Sequence, residues 1–369
     1  MKDIKKLVVK YNDNIVGYLV QLDKYKIAFQ YDEIWIKHGF SISPFSLPLD
    51  NELHFETKGI FDGLFGVFQD SMPDGWGELL LRRKLAKNGV DYDRLSPLQK
   101  LSLISSDGLG GLTYEPSEAF DNHKFEYDLD NLAIESKNLF DNNDIKDLDH
   151  LFYLGGSSGG SRPKAHIRKD GIEYIVKFPC HLDPTNVGQK EALANKLARE
   201  CGINTNDFIL FESKICSGYF GAKRFDRDKT GKRIHMISLS SILETSHRIP
   251  NLDYVHLFQV VNKICINKDD LYEAYRRMCF NVLYGNKDDH GKNFAFLYNE
   301  LKGGYELSPM YDITKTIDKL EHEMTVLSKG NPSEDDLLEI AKMFNLSLIK
   351  CKEIIKKQTM YLTINEMHF

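Results

Sequence analysis

The chain has 369 residues, 42% hydrophobic and 28% charged, which is ordinary for a globular protein and long enough for two or three domains. A formal net charge of −6 argues against binding nucleic acid through bulk electrostatics. The six cysteines form no C-x-x-C pair, which argues against a zinc-finger site or a disulfide framework and for free thiols in a reducing compartment.

The N-terminus, Met1-Lys2-Asp3-Ile4-Lys5-Lys6, runs directly into strand-like sequence without the apolar core of a signal peptide. No run approaches the ~18 apolar residues of a membrane span, so a cytoplasmic location away from membranes is expected. Residues 4–38 read as strands: Leu7–Tyr11, the turn Asn12-Asp13-Asn14, Ile15–Val20, and Tyr25–Tyr31 with the alternation of a half-buried strand. They predict a small antiparallel sheet. A loop with Pro44 and Pro48 leads to Asp70-Ser71-Met72-Pro73-Asp74-Gly75-Trp76-Gly77, then to the helical pattern Glu78–Leu85, with Asp74 as the candidate cap. Leu98–Leu103 reads as a short helix and Asp107-Gly108-Leu109-Gly110-Gly111 as a turn before Leu112-Thr113-Tyr114.

Residues 117–150 are Asn/Asp-rich (Asp121-Asn122, Asp141-Asn142-Asn143-Asp144) and read as a connector with one helix near 129–138. Leu151–Leu154 reads as a strand, Gly155–Lys164 as a Gly/Ser loop, Ala165–Arg168 as a strand, Lys169-Asp170-Gly171 as a hairpin turn and Glu173–Phe178 as a strand. An amphipathic helix spans Gln189–Cys201 and closes at Gly202. Tyr254–Leu283 and 335–360 are mostly helical in pattern. The expected domains are therefore 1–116, a connector 117–150, and 151–369.

Four constellations carry chemistry. The loop Gly155-Gly156-Ser157-Ser158-Gly159-Gly160, with Lys164 following, lets backbone N–H groups crowd around phosphate oxygens; it is not a Walker A loop, and between two strands it suits a kinase-type lid. Lys177, in an apolar strand, matches the lysine that neutralises phosphate charge in kinases, and Glu191 on the following helix is a candidate partner; each also reads as an ordinary solvent-facing residue. Lys223 to Phe225 could offer an exposed hinge to an adenine, or form a salt-bridged strand end with Arg224-Phe225-Asp226-Arg227. Finally, Asp288 and Asn293 stand five apart, the spacing of a kinase catalytic loop, with Asp312 nineteen residues further on. Asp288 suits the base that orients an acceptor hydroxyl, and Asn293 and Asp312 suit Mg²⁺, which prefers hard oxygen ligands. Lys292 could offset developing charge. For Asp289 and His290 the residues alone leave phosphate contact and loop structure both open.

Together these residues resemble the HipA family of bacterial serine/threonine protein kinases, toxins of toxin–antitoxin systems. The likeness rests on Asp70–Gly77, Gly160-Ser161-Arg162-Pro163-Lys164-Ala165, Lys177-Phe178-Pro179, Arg224–Arg227, Asn286–Asn293 and Ser308–Asp312, six matches in the family's order. It implies an α+β, two-lobed protein-kinase-like fold with a small antiparallel N-terminal β subdomain and a mostly helical C-terminal lobe. It implies Mg-ATP, and phosphorylation of a protein Ser or Thr, with translation proteins such as aminoacyl-tRNA synthetases as the family's targets. By the same likeness Asp288 is the base, Asn293 and Asp312 hold Mg²⁺, Lys177 meets the phosphates, and His290 and Tyr311 line the nucleotide site. The family's autophosphorylated loop serine falls at Ser157. A small helix-turn-helix antitoxin is the implied partner, with DNA reached only through it. Two other classes compete: a non-catalytic nucleotide-binding regulator within such a complex, and a kinase for a lipid or small-molecule hydroxyl.

Overall fold

The computed structural model describes residues 2–106, 108–120, 127–141, 143, 145–181 and 183–365. Asp107 of the predicted turn, Asp121-Asn122, Asn142 and Asp144 lie outside the described residues. The chain forms two compact units. One holds Met1–Gln189, Phe208–Ile237 and Ser241–Thr245; the other holds Lys190–Asp207, Ser238–Ser240 and Ser246–Phe369.

The first unit begins with strands β1 (Lys6–Tyr11), β2 (Asn14–Asp23) and β3 (Lys26–Tyr31). Leu7, Val9 and Tyr11 alternate into the core, and Asn12 takes the positive φ of 52° that a two-residue hairpin turn needs. The expected run of strands stops there, because Glu33–His38 is helix α1. The Asp32 side chain caps it by accepting from the Ile34 N–H at 2.9 Å, and Lys37 and His38 favour its C-terminal end. Strand β4 (His54–Phe55), helices α2 (Gly66–Gln69), α3 (Gly75–Lys87) and α4 (Pro97–Ile104), and strand β5 (Leu112–Glu115) follow. The sheet is five-stranded, in the order β4-β3-β2-β1-β5, and antiparallel throughout. Asp74 caps α3 as the sequence predicts.

Helices α5 (Leu129–Phe140) and α6 (Leu148–Gly155) precede a second antiparallel sheet. Its strands β6 (Lys164–Lys169), β7 (Ile172–Lys177), β8 (Phe208–Phe211) and β9 (Tyr219–Lys223) run in the order β6-β7-β9-β8. Leu151–Leu154 is thus helical, not a strand, and the Gly/Ser loop joins a helix to a strand. Asp147 caps α6, and the helix buries Leu151 and Leu154 against Trp76, Val176 and Phe178.

Two buried ionisable groups matter to this unit's stability. Burial alone would push the Asp226 carboxyl up, but the Arg224 and Arg227 guanidinium groups and the Gly110 N–H hold it well below the usual range. At Glu244 burial outweighs the opposing Ser46 hydrogen bond and the weaker pull of Lys58. Glu244 accepts the Gly66 N–H at 2.8 Å, and burial raises its pKa from 4.5 to about 7. The fold therefore favours the neutral acid, and this contribution is complete below pH 4.5 and lost as pH rises through 7. Glu244→Gln stays neutral and is expected to be more stable than the parent at pH 8 by roughly 1–3 kcal/mol. The gain should vanish toward pH 5 in denaturant titrations.

The chain passes between the units at helix α7 (Val187–Glu200) and again at β10 (Met236–Ser238) and helix α8 (Leu239–Ile242). The second unit contains helices α9 (Tyr254–Ile264) and α10 (Asp269–Tyr284), the antiparallel hairpin β11 (Ala295–Asn299) and β12 (Gly304–Leu307), and helices α11 (Glu334–Met343) and α12 (Leu348–Asn365). Gly202 and Gly285 follow α7 and α10 with φ of 85° and 79°, the left-handed stop. Ala194, Leu197, Ala198, Phe280, Met310 and Ile313 form its core. Among the described residues no helix is long and apolar enough to cross a membrane.

Candidate functional site

In the first unit the Gly/Ser loop is braced from outside. Asp74 N–H donates to the Ser158 carbonyl at 3.2 Å and Trp76 N–H to the Gly160 carbonyl at 2.9 Å. The Trp76 indole N–H donates to the Lys164 carbonyl at 3.0 Å. The glycines beside Trp76 permit this approach, since a Cβ on Gly77 would stand 2.4 Å from the Ser158 carbonyl oxygen. The motif Asp74–Gly77, legible in sequence only as a turn and a cap, thus sets the loop's backbone. Gly77→Ala must move that backbone, and it is expected to cost about 1–3 kcal/mol of stability, measurable by denaturant titration.

Within the loop the candidates separate. Gly155 is the buried last residue of α6, and a side chain there or at Gly156 would strike Lys164 and Trp76 or the Phe152 ring. Ser158 is fully buried and its hydroxyl has no hydrogen-bond partner among the described residues, whereas Ser157 is half-buried. Gly159 has room around it, and Gly160 takes a φ of 76°. Lys164, only 9% exposed, donates its ammonium to the Gly159 carbonyl.

Lys164 and Lys177 are direct partners in the β6–β7 ladder, so the two lysines rise from the same face of the sheet. Like charges placed directly opposite are unfavourable unless something negative joins them. Lys177 is half-buried, its ammonium 5.9 Å from the Phe220 ring centroid. Two pairs along, on the same face, His166 is kept neutral: burial and then the Arg224 charge lower its pKa to about 3.

The exposed hinge expected at Lys223–Phe225 is not found. Lys223 ends β9 paired with Tyr174, Arg224 N–H already donates to the Glu173 carbonyl, and Arg224 is buried in its bidentate pair with Asp226. The salt-bridged reading describes this segment, and Phe225 is half-buried within it.

In the second unit, α10 ends at Gly285 and the loop Asn286–Asn293 begins. A buried polar chain holds it: the Asn286 amide donates to Asn281 at 2.9 Å, Asn281 to the Tyr254 hydroxyl at 2.9 Å, and Tyr254 to Asp289 at 2.8 Å. Asp289 also meets His322 at 2.9 Å and accepts the Glu323 N–H at 3.0 Å. Asp289 is thereby the loop's anchor, a role the sequence left open.

Asp288, by contrast, faces outward with its side chain 42% exposed. Its carbonyl accepts the Asn293 Nδ2 amide at 2.7 Å, which leaves the Asn293 Oδ1 as the atom offered to a cation. Asp312 holds a φ of 57°, strained for a non-glycine residue. The Tyr311 hydroxyl, beside it, donates to the Lys292 carbonyl, and Arg277 donates to the Ser308 carbonyl at 2.6 Å. His290 ties the two acids together electrically. Burial lowers its pKa, while both Asp288 and Asp312 oppose that shift. Its Nδ1 is buried without a hydrogen-bond partner among the described residues.

Sequence reasoning missed Lys319, which ion-pairs with the Asp288 carboxylate and with Glu323 at 2.7 Å. It lies in a segment with no regular periodicity, 31 positions after Asp288, so no local pattern marks it.

A model of the HipA N-terminal domain matches residues 7–115, and one of the HipA-like C-terminal domain matches residues 156–366. The chain belongs to the HipA family. "Putative kinase Y4dM" of Sinorhizobium fredii is 27% identical over 48% of the chain and 47% of its own length. A "Putative kinase" of Haemophilus influenzae is 25% identical over 59% of the chain and 66% of its length. The matches therefore span about half to two thirds of those relatives. The solved HipA of Shewanella oneidensis, in a toxin–antitoxin complex with HipB and operator DNA, covers 96% of the chain and 88% of its own with a TM-score of 0.69 at 18% identity. The α+β fold is that of HipA.

For magnesium, the donors at Asn293 and Asp312 are one amide and one carboxylate oxygen set. Among the described residues no three His, Cys, Asp or Glu side chains gather as a metal cluster. The set fits Mg²⁺, which takes one or two protein oxygens and fills its shell with phosphate and water.

Proposed function

We propose that this HipA-family chain is an ATP-dependent protein serine/threonine kinase. In this reading it is the toxin of a toxin–antitoxin system, held by a small helix-turn-helix antitoxin through which alone it meets DNA. The observation that carries the reading is the Asp288–Asn293 loop: a partly exposed acid, an amide fixed by that acid's own carbonyl, and Asp312 next to Tyr311, whose hydroxyl donates to the Lys292 carbonyl of the same loop. The opposed pair Lys164 and Lys177 supports it, as a cationic face suited to phosphate.

The acceptor oxygen forms a bond to the γ-phosphorus as the bond to the β-bridging oxygen breaks, and ADP leaves. Asp288 orients the hydroxyl and takes its proton. Lys319 holds the Asp288 carboxylate between turnovers and supplies positive charge beside it. Lys164 and Lys177 offset charge on the phosphates. Mg²⁺, held by Asn293 and Asp312, would neutralise further phosphate charge when bound. The Tyr311 hydroxyl keeps the loop and the Asp312 segment in register, and His290 and Tyr311 line the nucleotide site. The test is phosphoproteomics of cells expressing the parent chain against an Asp288→Asn control, which should lose the new Ser and Thr phosphosites, among them sites on translation proteins. Equal phosphosite sets would refute the reading.

Self-inactivation is assigned to Ser157, the more accessible of the two loop serines. A phosphate there adds nearly two negative charges to a loop that would otherwise receive phosphate. Ser157→Asp is expected to abolish the ATP-induced rise in Tm while leaving the ligand-free Tm within about 2 °C. A retained ATP shift would remove this role.

A further inference from the structure

The segment Thr316–Glu323 combines two features that seldom go together. Its backbone is tied to the Asp288 loop along its length. Thr316 N–H donates to the Gly285 carbonyl at 3.0 Å, and Glu323 N–H to the Lys287 carbonyl at 3.1 Å. The Lys287 ammonium donates to the carbonyls of Lys319 at 3.1 Å and Leu320 at 2.9 Å. Lys319 itself reaches the Asp288 carboxylate. Yet Ile317 and Leu320 stand 90% and 88% exposed. Among the described residues they are two of the three most exposed large apolar side chains. The third, Leu301, sits in the β11–β12 turn.

A single exposed apolar side chain needs no explanation. Two presented by a fixed backbone, with the charged Lys315, Asp318 and Glu321 exposed around them, have the make-up of a small apolar contact with a polar rim. A pre-set loop also loses little freedom when it binds. We propose that Ile317 and Leu320 dock the acceptor protein, seating apolar residues that flank its phosphorylated Ser or Thr. This rests on the kinase reading and names the feature by which the acceptor is chosen.

The occupant follows from position. Ile317 and Leu320 lie two residues and one residue from Lys319, so their Cα atoms are within roughly 7 Å of it along the chain. The Lys319 ammonium touches Asp288. A hydroxyl delivered to Asp288 by a polypeptide carries its neighbouring side chains onto this segment. A metabolite or a lone sugar hydroxyl has no such neighbours and gives the two apolar tips nothing to bind.

The test is a positional library of Ser/Thr peptides with γ-labelled ATP, read for the parent chain and for I317S/L320S. The parent is expected to favour apolar over acidic residues at one or two flanking positions by at least tenfold. The double variant should flatten that preference to within twofold, with peptide-free ATP hydrolysis and Tm matching the parent. The same preference in the variant, or a flat preference in the parent, overturns the docking role. So does a variant that loses self-association or binding to a helix-turn-helix protein while keeping the peptide preference. A parent that turns over ATP but labels no peptide overturns docking alone, and one that neither binds nor hydrolyses ATP overturns the kinase reading with it.

Discussion

Asp288→Asn is expected to lower phosphoryl transfer by roughly 10²–10⁴-fold, the usual worth of a positioned general base. The substitution keeps the side chain's shape and the main-chain carbonyl that accepts from Asn293 at 2.7 Å. The loop is held by other groups, chiefly Asp289 with Tyr254 and His322, so the fold should not change. The ion pair with Lys319 weakens, but it is partly exposed and Lys319 keeps Glu323; such pairs contribute at most about 1 kcal/mol. The expected signature is therefore a collapse in kcat with ATP affinity and Tm near the parent's. Rapid-quench labelling and a nucleotide-binding titration read the two halves separately. A parallel loss of ATP binding would mean that Asp288 acts on the nucleotide and not on the acceptor.

Lys177→Met should produce the second large effect, in a different parameter. The substitution keeps an apolar stem of similar length and removes the ammonium, which stands 5.9 Å from the Phe220 ring centroid. Without it, Lys164 is the buried lysine that remains on that face of the β6–β7 pair, and Lys164 is already committed to the Gly159 carbonyl. Charge-assisted bonds to phosphate contribute about 1.5–3 kcal/mol each, so kcat/KM for ATP is expected to fall by roughly 10–10²-fold. The ATP-induced rise in Tm, about 2.7 kcal/mol of stabilisation at a hundredfold excess over Kd in the parent, should shrink accordingly. Arginine is not a neutral replacement here, because its planar fork needs different geometry from a point charge. An unchanged ATP shift would leave Lys177 as a structural strand residue.

Much of the fold was legible because local signals agreed with tertiary burial. The alternation in Tyr25–Tyr31, the Asp74 cap and the glycine stop after α7 each rest on neighbours within a few residues. Leu151–Leu154 failed for the complementary reason. A short apolar run carries no period that separates strand from helix, and here the Asp147 cap and packing against Trp76 decide for helix. Glu33–His38 was overrun by the strand pattern before it, although Asp32 and Gly39 marked its ends.

At the site, spacing identified Asp288, Asn293 and Asp312 but could not divide the work between Asp288 and Asp289. That division depends on Tyr254 and His322, more than thirty positions away on either side. Lys319 was invisible for the same reason, and so was the bracing of the Gly/Ser loop by Asp74 and Trp76, which joins segments some eighty residues apart. At Lys223–Phe225 the sequence left a hinge and a salt-bridged strand end both open, and the ion pair of Arg224 with Asp226 is completed by Gly110, more than a hundred residues away, which no local pattern marks.

The central claim is transfer of a phosphoryl group from ATP to a protein hydroxyl. Its most direct measurement follows γ-labelled ATP with the purified chain and an acceptor protein mixture, counting ADP formed against phosphate recovered on Ser and Thr by mass spectrometry. One phosphoserine or phosphothreonine should appear for each ADP above the peptide-free background. ADP matched only by inorganic phosphate, or label recovered on a small molecule and on no protein, would contradict the account.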